Sequence, residues 1–134
     1  MFRVTKEIHF CYGHRLLNYA GKCRMLHGHN GRAVVTCEGP DLDGLGMLID
    51  FSRMKAVLGA WIDATLDHKM LLHEHDPIIP ELVRQGEPFV TLPVNPTAEN
   101  IAKMIFDVAR KEGFPVVEVT LWETENSFAT YTGG

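Results

Sequence analysis

The chain of 134 residues has no long apolar run. Nothing in it approaches the ~20 consecutive apolar residues of a membrane span, so no membrane-crossing helix is expected. Positive charge is also in short supply. Thirteen Lys and Arg face seventeen Asp and Glu, a net charge of −4, which argues against a dedicated nucleic-acid binder. A local group such as Lys22, Arg24 and Arg32 can still meet an anionic small molecule. Cysteine is scarce and odd in number: Cys11, Cys23 and Cys37. There is no Cys-x-x-Cys, so neither a disulfide framework nor a closed cysteine metal site is expected, and a reducing, cytoplasmic setting is the simplest one. The opening residues, Met1 to Glu7, carry neither an apolar core nor a small-residue cleavage site and do not read as a signal peptide. Repeats, low-complexity tracts and linkers are absent too, which leaves one domain over 1–134.

Apolar residues make up 46% and charged residues 22%, the balance of a globular domain able to bury a core without staples. Phe2, Val4, Lys6, Ile8 and Phe10 alternate, predicting a strand over the first ten residues. Arg32 to Cys37 predicts a second, with a hairpin-like return to Met47–Asp50. Ser52 is the expected N-cap of a helix whose stripe is Met54, Val57, Leu58, Trp61, Ile62 and Leu66, ending near Asp67-His68. A second helix is expected to start at Thr97, after Asn95-Pro96, with Ile101, Met104, Ile105 and Val108 inward, closed by Gly113 and Pro115. Val117–Leu121 and Phe128–Tyr131 read as two last strands. Between the helices, roughly 73–95 reads as an insertion with a short helix after Asp76-Pro77 and an edge strand at Phe89–Leu92. The order predicts an α+β fold, four antiparallel strands with two helices on one face.

His14, then twelve residues, then His27-Gly28-His29 is the sharpest chemical signal. Residues i and i+2 of an extended segment point the same way, and a neighbouring strand can bring in His14. Three neutral imidazoles suit Zn2+ and leave a fourth position open. Cys23, flanked by Lys22 and Arg24, sits where thiolate character is favoured, making it a candidate base or nucleophile. Cys37 alternates within an apolar strand and reads as core. Asp67-His68 fits either an oriented acid/base pair or a histidine capping helix carbonyls. Glu123, at a strand end, fits either an acceptor for paired N–H donors or an ordinary exposed carboxylate. Glu99 is accounted for by the helix dipole, and His73 with His75 as solvated loop residues.

The blocks Phe10–Leu16, Cys23–Asn30, Ile49–Phe51, Leu66–His68, Pro96–Asn100 and Trp122–Thr124 occur in the order seen in the 6-pyruvoyl- and 6-carboxy-tetrahydropterin synthases, and the chain resembles that family from first strand to last. The resemblance implies a tunnelling fold in which sheets of several subunits form a barrel. It implies a homo-oligomer, hexamer or tetramer, with active sites between subunits. It also implies Zn2+ on His14, His27 and His29. Cys23 and His68, backed by Asp67, would be acid/base groups, Glu123 a catalytic-site pterin anchor, and Thr97 and Glu99 its supports. The three residues between Cys23 and His27 resemble the bacterial carboxy-forming branch. The implied reaction is conversion of 7,8-dihydroneopterin triphosphate to 6-carboxy-5,6,7,8-tetrahydropterin with loss of acetaldehyde and triphosphate, in 7-deazaguanine (queuosine) synthesis. Alternatives are the pyruvoyl-forming reaction, a side-chain aldolase, against which Cys23 counts, and a non-catalytic zinc or pterin binder. The chain departs from the family pattern at Tyr12-Gly13, where a small pair is usual, at Gly31, where an aromatic is common, and in the length of the His73–Pro93 insertion.

Overall fold

A computed structural model describes all of residues 1–134. It is α+β, with the element order β1 (Phe2–His14), β2 (His27–Gly39), helix α1, β3 (Lys69–His73), α2 (Ile79–Gln85), β4 (Phe89–Leu92), α3 (Ala98–Lys111), β5 (Val116–Thr124) and β6 (Ser127–Tyr131). Helix α1 is α over Phe51–Met54, π over Lys55–Gly59 and α again over Ala60–Thr65.

The sheet has six strands in the order β4-β3-β1-β2-β5-β6 and is mixed, not four-stranded and antiparallel as the sequence suggests. The expected part is present: β1–β2, β2–β5 and β5–β6 are antiparallel. The additions are β3 and β4, parallel to β1 and to each other. The edge strand at Phe89–Leu92 was legible; β3 was not, because Leu71 and Leu72 are both fully buried and leave no alternation to read. Both early strands run longer than the pattern suggests. β1 reaches His14 and β2 begins at His27, and their ladder continues through Tyr12–His29 to His14–His27. The return at Met47–Asp50 forms no strand. The helix cap is Asp50, whose carboxylate accepts from the Ser52 N–H at 2.8 Å, so Ser52 is the recipient of the cap and not its source.

Met54, Leu58, Ile62 and Leu66 of α1 are each fully buried and each four residues apart. A strict four-residue step drifts around an α-helix, and the wide i→i+5 turn of the π stretch takes up that drift. In α3 the buried residues Ala98, Ile101, Ala102, Ile105, Phe106 and Ala109 make one stripe at helical spacing. Thr97 caps it as expected, its Oγ1 accepting from the Asn100 N–H at 3.2 Å, and Gly113 takes φ 90° just past its end. The two stripes meet the face of β1 and β2 that carries Phe10, Tyr12, Ala33, Val35 and Cys37. Cys37 is therefore core, as its alternation implies.

The insertion is anchored from below. Asp76, whose side chain is fully buried, binds Arg15 through both carboxylate oxygens, Nε–Oδ2 at 2.8 Å, and accepts the Ile78 N–H at 2.9 Å. The Arg15 guanidinium first, and the Ile78 N–H second, hold the Asp76 carboxyl below its ordinary range. A depressed folded-state pKa contributes stability above the unfolded value and loses it as pH falls through the folded one. Asp76→Asn should therefore lower stability by about 3 kcal/mol at neutral pH. Denaturant titrations should show the wild-type advantage shrinking once pH drops below the carboxylate range.

Candidate functional site

The even-numbered side chains at the end of β1 and the odd-numbered ones at the start of β2 share the inner face of the sheet. His14, His27 and His29 thus converge, and their ligand nitrogens all lie within 4.8 Å of one another. The ring centroids are 4.5 Å apart for His14–His27, 5.0 Å for His14–His29 and 5.2 Å for His27–His29. Backbone carbonyls set two of the tautomers. His14 Nδ1 is 2.7 Å from the Pro96 carbonyl and His27 Nδ1 is 2.7 Å from the Met25 carbonyl. A carbonyl can only accept, so each Nδ1 carries the proton and each Nε2 is left as a lone-pair donor. The Nε2 atoms of His14 and His29 are 3.1 Å apart. Two Zn–N bonds of ~2.0–2.1 Å at a tetrahedral angle separate their nitrogens by about 3.3 Å. The donor set fits a divalent zinc-type ion.

Burial chiefly, and the neighbouring His27 and His29 secondarily, push His14 down to about 4 against the opposing pull of the Pro96 hydrogen bond. His29 is lowered too, by burial, with the Glu123 charge opposing. Both rings are thereby kept neutral, the form in which imidazole binds a metal. Glu123, on β5, places its carboxylate oxygens 3.9 Å from His14 Nε2 and 3.7 Å from His29 Nε2.

A cavity of about 310 Å³ opens beside His14, with Cys23, Thr97, Glu99, Glu123 and Phe128 in its walls. Cys23 sits in a single 3-10 turn, Lys22–Arg24, and its carbonyl accepts the Leu16 N–H at 2.8 Å, which fixes the loop between the two strands. The same loop is tied to the start of α3, where Asn95 accepts the Leu17 N–H at 2.8 Å and donates to the Leu17 carbonyl at 3.0 Å. A larger open groove of about 700 Å³, between β1 and the π stretch of α1, holds no converging set of ligands.

Asp67 and His68 stand elsewhere in the chain. They meet β1 at Cys11: Asp67 Oδ1 accepts the Cys11 N–H at 2.9 Å and the His68 N–H donates to the Cys11 carbonyl at 2.6 Å. Asp67 Oδ2 is 2.8 Å from His68 Nδ1, and the imidazole is 78% exposed. The Cys11 N–H, then the His68 ring, hold the Asp67 carboxyl below its ordinary range. His68 caps no helix carbonyl, and it borders a cavity of about 510 Å³ with Cys11, Met70 and His27, other than the one that Cys23 lines. Within one chain Cys23 and His68 thus line different cavities. Lys22 and Arg24 flank Cys23, but Arg32 faces the opposite side of the sheet, 4.8 Å over the Trp122 ring. His73 and His75 form a local pair, the His75 N–H donating to His73 Nδ1 at 3.0 Å, away from the three-histidine group.

Two contributors were not read from the sequence, the Pro96 and Met25 carbonyls; Tyr12 was marked there as a departure beside the first histidine. Asn95-Pro96 was visible only as a helix start. Tyr12 is 2% exposed, stacks on Phe10 at 5.3 Å and sets its ring 5.2 Å from His14 and 5.6 Å from His29. Burial first, with the Glu123 charge second, pushes its phenol far above the ordinary range, so it stays an O–H donor.

The chain matches the 6-pyruvoyl tetrahydropterin synthase family over residues 3–134. A 6-carboxy-5,6,7,8-tetrahydropterin synthase of Rickettsia typhi is 36% identical, over 96% of this chain and 98% of its own. A crystal structure of an uncharacterized Wolinella succinogenes protein superposes with TM-score 0.84 at 25% identity, covering 99% of this chain and 98% of the other. The 6-pyruvoyl tetrahydropterin synthase of Caenorhabditis elegans superposes with TM-score 0.74 at 25% identity, covering 99% and 96%.

The depressed His14 pKa carries a stability consequence. The unfolded ring takes up its proton near 6.5 and the folded ring only near 4, so metal-free protein should lose stability as pH falls through that window and be unaffected above it. The loss attributable to His14 is ~3 kcal/mol at most. Urea titrations at neutral pH and in that window should show it in the wild type and not in His14→Gln.

Proposed function

Because the chain belongs to the 6-pyruvoyl tetrahydropterin synthase family, we propose that it is a zinc-dependent lyase acting on 7,8-dihydroneopterin triphosphate. The product is 6-carboxy-5,6,7,8-tetrahydropterin, released with acetaldehyde and triphosphate, a step toward 7-deazaguanines such as queuosine. The single observation that carries the reading is the convergence of three imidazoles, Nε2 inward, beside a cavity that also holds Cys23 and Glu123. The name of the Rickettsia relative favours the carboxy product over the pyruvoyl one.

Zinc on His14, His27 and His29 would supply a Lewis acid that lowers the pKa of the substrate's side-chain hydroxyls. Everything else falls to the chain. Glu123 accepts the paired N–H donors of the pterin ring, and Thr97 and Glu99 at the head of α3 border the same cavity. Thr97 Oγ1 already accepts the Asn100 N–H, so its free lone pair and its proton are what it can offer a ligand. The Cys23 thiolate takes a proton from the side chain of the substrate. His68, with Asp67 fixing its tautomer, moves the second proton. Water supplies an oxygen, and the pterin ring takes up electrons given up by the side chain, so no external oxidant is needed.

His68 and Cys23 act together only if the imidazole comes from another copy of the chain. Two free strand edges support this. β3 pairs with β1 only at Tyr12–His14, which leaves the earlier part of β1 unpaired on that side, and β6 ends the sheet at the other side. Paired between copies, these edges close the four antiparallel strands of each chain into a barrel. The result is a homo-oligomer, hexamer or tetramer, with its active sites at subunit boundaries.

Incubation of zinc-loaded protein with dihydroneopterin triphosphate should give acetaldehyde and the carboxy product by mass spectrometry. Pyruvoyl product without acetaldehyde would move the chain to the sister activity. Cys23→Ala should cost ~10²–10⁴ in turnover while zinc is retained; turnover equal to a slow wild type would point to a non-catalytic binder. Mixed oligomers of Cys23→Ala and His68→Ala chains, each inactive alone, should regain about a quarter of wild-type activity if each site draws on two subunits.

A further inference from the structure

The functional reading gives every polar group around the three histidines a task except one. Tyr12 Oη is buried and has no hydrogen-bond partner, although buried tyrosine hydroxyls normally find one. Its position is built, not incidental. Tyr12 shares the inner face of β1 with Phe10 and His14 and stands opposite His29 in the ladder. Its ring lies over Gly31 of β2, where an added Cβ would come within 2.9 Å of Tyr12 Cε1 and 3.3 Å of Cδ1. A side chain at 31 would thus close the space that the phenol occupies.

On the far side of β2, one residue past the Arg32–Trp122 pair, β5 carries Glu123. Its carboxylate is outside hydrogen-bonding distance of His14 and His29, at 3.9 and 3.7 Å, and its side chain is 23% exposed. A carboxylate so placed has two incompatible uses. Turned toward the imidazole nitrogens, it becomes a fourth protein ligand to an ion held there and closes the open position. Turned away, it accepts hydrogen bonds from a heterocycle in the cavity. Nothing in the histidine set itself chooses between these. A hydrogen-bond donor beside the carboxylate would.

We propose that Tyr12 is the positioning residue for Glu123, its phenol O–H donating to the carboxylate and so keeping it off the metal position and available to the pterin. The inference rests on the functional reading above, in which the three histidines hold the ion and Glu123 anchors the ring. Tyr12 is packed between Phe10, His14 and Gly31, so the movement that makes this bond falls to the Glu123 side chain.

The test compares wild type, Tyr12→Phe, Glu123→Gln and the double variant. Tyr12→Phe keeps the ring and its packing and removes only the hydroxyl. Zinc affinity is measured by chelator competition, coordination by the visible spectrum of the cobalt-substituted protein, and ring binding with dihydroneopterin lacking phosphate. Tyr12→Phe should tighten zinc about tenfold, alter the cobalt spectrum toward a carboxylate-ligated ion, and weaken dihydroneopterin by a similar factor. In the Glu123→Gln background, removing the hydroxyl should change neither zinc affinity nor the spectrum. If zinc binds at the histidines but Tyr12→Phe leaves affinity and spectrum at wild-type values, the positioning role is wrong and the functional reading stands. A Tyr12→Phe effect that persists in Glu123→Gln overturns it equally, because it would then act by packing alone. If the wild type binds no zinc, or His29→Ala binds it undiminished, the functional reading fails and this inference with it.

Discussion

The hydrogen bond from His14 Nδ1 to the Pro96 carbonyl, 2.7 Å long and buried, joins residues 82 positions apart and holds the site together. It fixes a tautomer, and with it the direction of a lone pair. It also pins the end of β1 to the residue that precedes the Thr97 cap of α3, so the helix and the first histidine of the cluster share one anchor. Asn95, on the other side of that proline, holds Leu17 through both its amide atoms and gives its own carbonyl to Asn100. Proline suits this place because its nitrogen has no proton to satisfy, while its carbonyl remains free to accept. The loop bearing Cys23, the helix bordering the cavity and the first imidazole are thereby positioned by three consecutive residues.

The convergence of the three histidines was more legible than the fold that carries it. His14, His27 and His29 could be read because strand parity is strict, and a His-x-His in extended chain has little choice of geometry. Thr97 could be read because capping is local, needing a side chain and an N–H only three residues on. What escaped depends on distant partners or on missing alternation. The ends of β1 and β2 are polar because they carry the clustered histidines, so no hydrophobic period marks them as strand. β3 is buried on both faces and paired in parallel, and its neighbours are set by the whole sheet. Asp50 took the cap from Ser52 by two residues, within the usual uncertainty of helix boundaries.

Asp67 and His68 illustrate a different gap. Their mutual hydrogen bond was open to inference from adjacency, but their direction was not. His68 takes φ 57°, uncommon for a side-chain-bearing residue, with its N–H on the Cys11 carbonyl at 2.6 Å. That backbone geometry turns the imidazole outward on a corner braced by β1. The first strand thus has one histidine ring turned inward to the cluster and, bonded to its edge at Cys11, a second held exposed at the surface.

The wide turn in α1 gives that outward corner a freedom of its own. A helix of uniform pitch couples its two ends, so that any change of length swings the last residue around the axis. One i→i+5 turn amounts to a residue of slack spooled into the rod. The first half of α1 is fixed by its Asp50 cap and the buried Met54, while the second delivers Leu66 to the core and Asp67 to Cys11. Tightening or loosening this coil would re-aim the surface histidine without disturbing the histidines on β1 and β2.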